Sequence, residues 1–151
     1  MENIKIAVDA IIIAEEAVNK IVKSAKEEYE AKGKTMLEQV TNYIYDKLDE
    51  AGWMCRTFAI YDELCLGKQG TARYIFYINH CPVFYIQKNN IKMHYNSLDE
   101  FQMKTIACYW NKFKEEFDKN IKIALDERIN ALKREMNETQ HTSELINSWK
   151  L

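Results

Sequence analysis

Apolar positions recur along this chain with two different periods, helical at both ends and alternating in the middle. Ile4, Val8, Ile11, Val18, Val22, Ala25 and Tyr29 follow four- and three-residue steps broken only at Glu15, the spacing of one face of a helix several heptads long. Ile12, Ile13 and Ile21 widen that stripe, so the helix is expected to have neighbours on more than one side. Gly33, between Lys32 and Lys34, is its expected stop, because a left-handed residue costs least at glycine and cations suit the negative end of the helix dipole. Thr35 and Glu38 have capping-box spacing and open a second helix, with Leu37, Val40, Ile44 and Leu48 on its apolar face and Gly52 at its end.

From Trp53 the period shortens to two. Met54, Phe58 and Ile60 alternate with Cys55, Thr57, Ala59 and Tyr61, which predicts a first strand, with Arg56 as a lone charge among the apolar members of its face. Asp62–Thr71 holds two glycines and reads as a flexible loop. Ala72–Tyr95 is dense in β-branched and aromatic residues, and Asn79-His80 and Asn89-Asn90 punctuate it as two tight turns, giving a three-stranded meander. Two-residue turns at those places fix a register. Ile75, Tyr77, Phe84, Ile86, Ile91, Met93 and Tyr95 then form a core face, while Tyr74, Phe76, Val83, Tyr85, Gln87, Lys92 and His94 share the other.

Ser97 and Glu100 make a further capping box, and Leu98, Phe101, Ile106, Tyr109, Phe113, Phe117, Ile121, Leu125, Ile129, Leu132 and Met136 continue at helical steps. About forty residues of helix reach roughly 60 Å, twice the width of a small domain. Beyond about Lys119, another subunit or the first long helix must cover it. The expected fold is therefore α+β: two N-terminal helices, an antiparallel sheet of about four strands and one very long C-terminal helix. Within a single domain over 1–151, residues 1–52 are read as helical, 53–96 as sheet, 97–138 as the long helix and 139–151 as a tail.

Composition narrows the function classes. The 151 residues, 47% of them hydrophobic, can bury one core, and a net charge of −2 gives no overall basic field for nucleic acid. Cys55, Cys65, Cys81 and Cys108 form no C-x-x-C pair and follow no signal sequence, which suits reduced thiols in a cytoplasm. Charges interrupt the apolar run around Ile11-Ile12-Ile13, so no membrane span is expected. Abundant Lys, Ile, Asn, Tyr and Met, with four glycines and one proline, is the usage of low-GC genes and points to a bacterial or phage source.

Metal and cofactor chemistry find little support. His80-Cys81 has no second ligand pair at zinc spacing, and Gly67-Lys68-Gln69-Gly70-Thr71 lacks the order of a phosphate loop. The distinctive group is the half-aromatic, half-polar sheet face. Tyr74, Phe76 and Tyr85 could supply rigid contact area while Lys92, His94 and Arg56 meet anionic groups, although the same face could equally receive a helix. These six residues are the candidate binding set. The expected function is a non-enzymatic homo-oligomer, without cofactor, that occupies or sequesters a protein partner or nucleotide, for instance a phage anti-defence inhibitor of a host complex. The competing expectations are a hydrolase- or nuclease-type enzyme in which Asp62, Glu63, His80 and His94 converge, and a purely structural adaptor.

Overall fold

The computed structural model describes residues 2–151. Two helices of 49 residues each, α1 (Glu2–Glu50) and α2 (Glu100–Ser148), flank the sheet in sequence. Between them lie β1 (Phe58–Ile60), β2 (Leu64–Gln69), β3 (Arg73–Ile78), β4 (Cys81–Gln87) and β5 (Asn90–Met93), all antiparallel and adjacent in chain order. The α+β class and the long C-terminal helix agree with the sequence reading.

The N-terminal region is one helix, not two. Gly33 lies buried within α1, and a Cβ built on it would stand 2.2 Å from the Leu98 carbonyl oxygen. The Leu98 N–H donates to the Gly33 carbonyl at 3.2 Å. The glycine is thus a notch for the segment leading into α2, and Thr35, expected as a cap, instead donates its hydroxyl to the Ala31 carbonyl within the helix. Gly52 does end α1, at φ +63. At the other helix the cap is Asp99, whose carboxylate accepts from the Gln102 N–H while the Gln102 side chain accepts from Asp99, so the box lies two residues beyond Ser97. Of the expected tail 139–151, residues 139–148 continue α2.

The sheet has five strands because the glycine-bearing loop contains β2. Leu64 and Leu66 are fully buried there, and Gly67 leaves room for the Tyr77 ring, which would lie 3.1 Å from an added Cβ. The first strand is shorter than expected: only Phe58–Ile60 pairs, although its alternation holds, with Phe58 and Ile60 buried around an exposed Ala59. The β3–β4 turn falls at Asn79-His80 as expected, both residues with positive φ. The next turn is Lys88-Asn89, one residue earlier than Asn89-Asn90, since Gln87 pairs with Asn90.

A bulge then reverses half of the predicted face. Ile78 opposes Cys81 and Tyr77 opposes Pro82, but Phe76 opposes Phe84, leaving Val83 as the extra residue on β4. One extra residue turns every later side chain to the opposite side. Tyr74 and Phe76 consequently join Phe84 and Ile86 in the core, all four fully buried, while Tyr77, expected inside, is half-buried on the far face. Ile91, Met93 and Tyr95, also expected inside, remain exposed on the edge of the sheet.

Both helices pack on the core face of the sheet. Leu37, Val40, Ile44 and Leu48 of α1 and Met103, Ile106, Phe113 and Phe117 of α2 close one cluster with β1–β4. The helices run parallel across it. Met36 lines one groove with Met103 and Ala107, Tyr43 sets its ring edge against Trp110 at 5.2 Å, and Lys47 pairs with Asp118. Buried positions in α1 begin at Gly33, and none occurs in α2 beyond Phe117. The N-terminal part of α1 and the C-terminal part of α2 therefore extend from opposite ends of the core, so α1 does not cover distal α2.

Gly33→Ala reads the helix notch directly. In a free helix this change stabilises by about 1 kcal/mol. Here the methyl group must displace the Leu98 backbone, so a net loss of about 1–3 kcal/mol in urea unfolding is expected; a rise in stability would contradict the notch.

Candidate partner-binding face

The six residues singled out from sequence divide among three places. Tyr74 and Phe76 are core. Tyr74 also ties the irregular segment after α1 to the sheet: its hydroxyl donates to the Trp53 carbonyl at 2.7 Å and accepts from the Cys55 N–H at 3.0 Å. Burial pushes its phenol up to about 12, against a lowering by the backbone bond at Cys55, and burial likewise pushes the Cys55 thiol up to about 12. Both groups are held in their protonated forms and serve the fold.

Arg56 stands apart from the sheet face. It lines a cleft of about 580 Å³ with Lys68, Arg128, Glu127 and the segment Met54–Thr57. Its guanidinium lies 3.5 Å from the Glu127 carboxylate, with both side chains more than half exposed. An exposed pair of this kind contributes little to stability. Lys68 is drawn the other way, 5.9 Å over the Tyr74 ring.

Tyr85, Lys92 and His94 do come together, on the sheet face opposite the helices. Tyr85 and Lys92 are cross-strand partners, and the His94 ring meets the Tyr85 ring edge-on at 5.0 Å. The bulge adds a residue that the sequence reading missed. Because Ile75 now opposes Tyr85, Arg73 projects on the same face, and its guanidinium sits 4.5 Å over the Tyr85 ring. Among the described residues no carboxylate forms a salt bridge with Arg73 or Lys92. A small hollow of about 120 Å³ lies between Arg73, Tyr85, Gln87 and Lys92.

A signal for this face was present in the sequence at a finer scale than net charge. Leu64–Leu98 contains Lys68, Arg73, Lys88 and Lys92 and no Asp or Glu, which leaves a formal −6 on the rest of a chain whose total is −2. The sheet is cationic and the helical segments are acidic. A near-neutral total concealed the segregation.

The four residues of the enzymatic alternative are only partly gathered. Asp62 and His80 share a depression of about 240 Å³ with Cys65 and Tyr77, whereas His94 lies beside Tyr85 and the Glu63 carboxylate accepts from the Asp62 N–H at 2.9 Å. Burial raises the Cys65 thiol, which disfavours the thiolate a nucleophile requires. Among the described residues no three His, Cys, Asp or Glu side chains are grouped to hold a metal, and no helix is long and apolar enough to cross a membrane. No protein-family model, curated protein or solved structure matches the chain.

The buried Cys55–Tyr74 pair predicts an alkaline loss of stability. Their ordinary values of 9.0 and 10.0 describe the unfolded chain, which sheds these protons while the folded protein keeps them. Stability should fall as pH rises from about 9 towards 12, by at most about 1.4 kcal/mol per pH unit for each group. Tyr74→Phe should cost about 1–3 kcal/mol at neutral pH by leaving the Trp53 and Cys55 backbone groups unpaired, and should make the alkaline slope shallower. Urea midpoints between about pH 7 and 11 measure both, and an unchanged slope in the variant would contradict the assignment.

Proposed function

We propose that this chain is a non-enzymatic, self-associating binding protein that occupies an acidic surface of a protein partner with the open face of its sheet. The observation that carries the reading is Arg73 stacked on Tyr85, with Lys92 and His94 beside them, on an acid-free sheet that neither helix covers on that side. Stacking holds the guanidinium in place while leaving its N–H donors to meet carboxylates, and a rigid aromatic with an arginine is the usual make-up of a binding hot spot. Flatness favours a macromolecule over a nucleotide. The 120 Å³ hollow is far below the roughly 300–1,000 Å³ of pockets that enclose small ligands.

Self-association supplies the rest of the reading. Helix α1 leaves Ile4, Ile11, Val18 and Ile21 more than half exposed, and distal α2 leaves Ile129, Leu132 and Met136 about half exposed. Apolar stripes of this length on a lone helix are covered in stable proteins by another chain. Several copies would present several sheet faces and bind a multivalent target with avidity. A cytoplasmic factor, of phage or bacterial origin, that blocks a host complex is one concrete form of this activity.

The test is capture from host lysate by wild-type protein, identification of the captured partner, and titration of that partner with variants. Tyr85→Ala, Arg73→Glu and Lys92→Glu should each weaken binding tenfold or more, about 1.4 kcal/mol. Binding should also weaken as salt rises, because the contacts are charged and partly exposed. Melting temperatures should stay close to wild type. Variants that bind normally, or that bind less only because they unfold, would remove the sheet face from the proposal.

A further inference from the structure

The contact rows of the α1–α2 pair run past the core in both directions. On α1, Tyr29, Met36 and Tyr43 stand seven residues apart and line the groove against α2. Seven-residue steps back along the same row reach Val22, Glu15 and Val8, and the companion row holds Ile4, Ile11, Val18 and Ala25. On α2, Lys104, Asn111 and Asp118 face α1 at the same interval. Two further steps reach Leu125 and Leu132, with Ile129 and Met136 beside them. Each helix thus carries outside the protomer the face that it uses inside it.

The lengths over which each helix lacks the other are similar. Lys47 pairs with Asp118 near the end of α1, so Lys119–Ser148 has no α1 beside it, although its Asn120, Ala124 and Glu127 face still meets Met54–Thr57. Glu2–Glu28 precedes Tyr29, the first α1 residue in the groove against α2. At 1.5 Å per residue these lengths are about 45 and 40 Å. Charge selects the direction. Residues 2–16 carry a formal −3 and residues 17–32 a formal +1, whereas 119–134 carry +3 and 135–148 carry −3. A parallel pairing of the α1 arm with the α2 arm sets −3 beside +3 and +1 beside −3, while the antiparallel alternative sets −3 beside −3.

We propose that the α1 arm of one copy docks in parallel on the α2 arm of the next, continuing the intramolecular helix pair across the junction and joining copies head to tail. The proposal rests on the self-association in the functional reading above and specifies its geometry. Such an interface uses two different surfaces, so every bound copy still offers one free arm of each kind, and assembly grows into a filament unless its rotation closes a ring.

Two sets of substitutions on exposed positions test the junction without touching the core. Ile11 and Val18 are each 56% exposed, and Leu132 and Met136 are 46% and 56% exposed. Sedimentation of wild-type protein should show species growing with concentration. Ile11→Glu with Val18→Glu, and separately Leu132→Glu with Met136→Glu, should each give a monomer of 17.9 kDa with unchanged melting. Mixed in equal amounts, the two variants retain one intact junction between them, and the mixture should form a discrete one-to-one dimer of about twice that mass. Self-association of the Leu132/Met136 variant alone would overturn the head-to-tail junction in favour of paired α1 arms, while leaving the oligomeric reading in place. Two variants that remain monomeric when mixed would overturn it as well. A wild-type protein that stays monomeric at all concentrations would overturn both readings.

Discussion

Much of this architecture follows from the place where Leu98 rests on Gly33. A helix backbone can approach another chain segment this closely only where no Cβ intervenes, and the added atom would stand 2.2 Å from the Leu98 oxygen. The contact delivers the chain to the middle of α1 immediately before Asp99 caps α2. Helix α2 then runs parallel to the second half of α1, with Lys47 meeting Asp118 near the far end. Two 49-residue helices so placed share less than half their lengths. The remainder of each runs without the other helix beside it, and past the stretch of α2 that meets Met54–Thr57 it is exposed.

The sheet depends on a comparable single-residue event. Val83 is the extra residue of a bulge, and it decides which aromatic side chains enter the core. Without it Tyr74 and Phe76 would share a face with Tyr85. With it both enter the core, Phe76 stacking on Phe84 at 5.2 Å and meeting the Phe113 ring edge-on, and Arg73 takes its place over Tyr85. The same shift gives the sheet a dry side that receives both helices and an open side carrying the cationic cluster.

Periodic features were legible in the sequence: the helical rows of Ile4–Tyr29 and Leu98–Met136, the Gly52 stop, the Asn79-His80 turn, and the pairing of Tyr85 with Lys92 and His94 on one face. What was not legible depended on tertiary contact or on a count of one. Gly33 has the local signature of a helix end, and packing against Leu98 overrides it. Strand β2 was concealed by glycines, one of which accommodates the Tyr77 ring. The bulge leaves no mark in composition, so the six residues read as one face are dispersed: Tyr85, Lys92 and His94 cluster, Tyr74 and Phe76 lie in the core, Arg56 lines a separate cleft, and Arg73, outside the six, sits over Tyr85.

The molecule that results joins a cationic sheet to acidic helices whose ends extend beyond the core. Both the proposed contact face and the proposed self-association depend on the parallel, offset placement of α1 and α2, because that placement puts both helices on one side of the sheet and sends their free ends in opposite directions. Pulsed electron resonance between nitroxides at Lys20 and Lys133, in labelled protein diluted into unlabelled protein, measures it. The parallel arrangement places the two labels about 70 Å apart along the helix axes at 1.5 Å per residue. A distance under about 40 Å would mean that the helices fold back on one another, and would contradict the account.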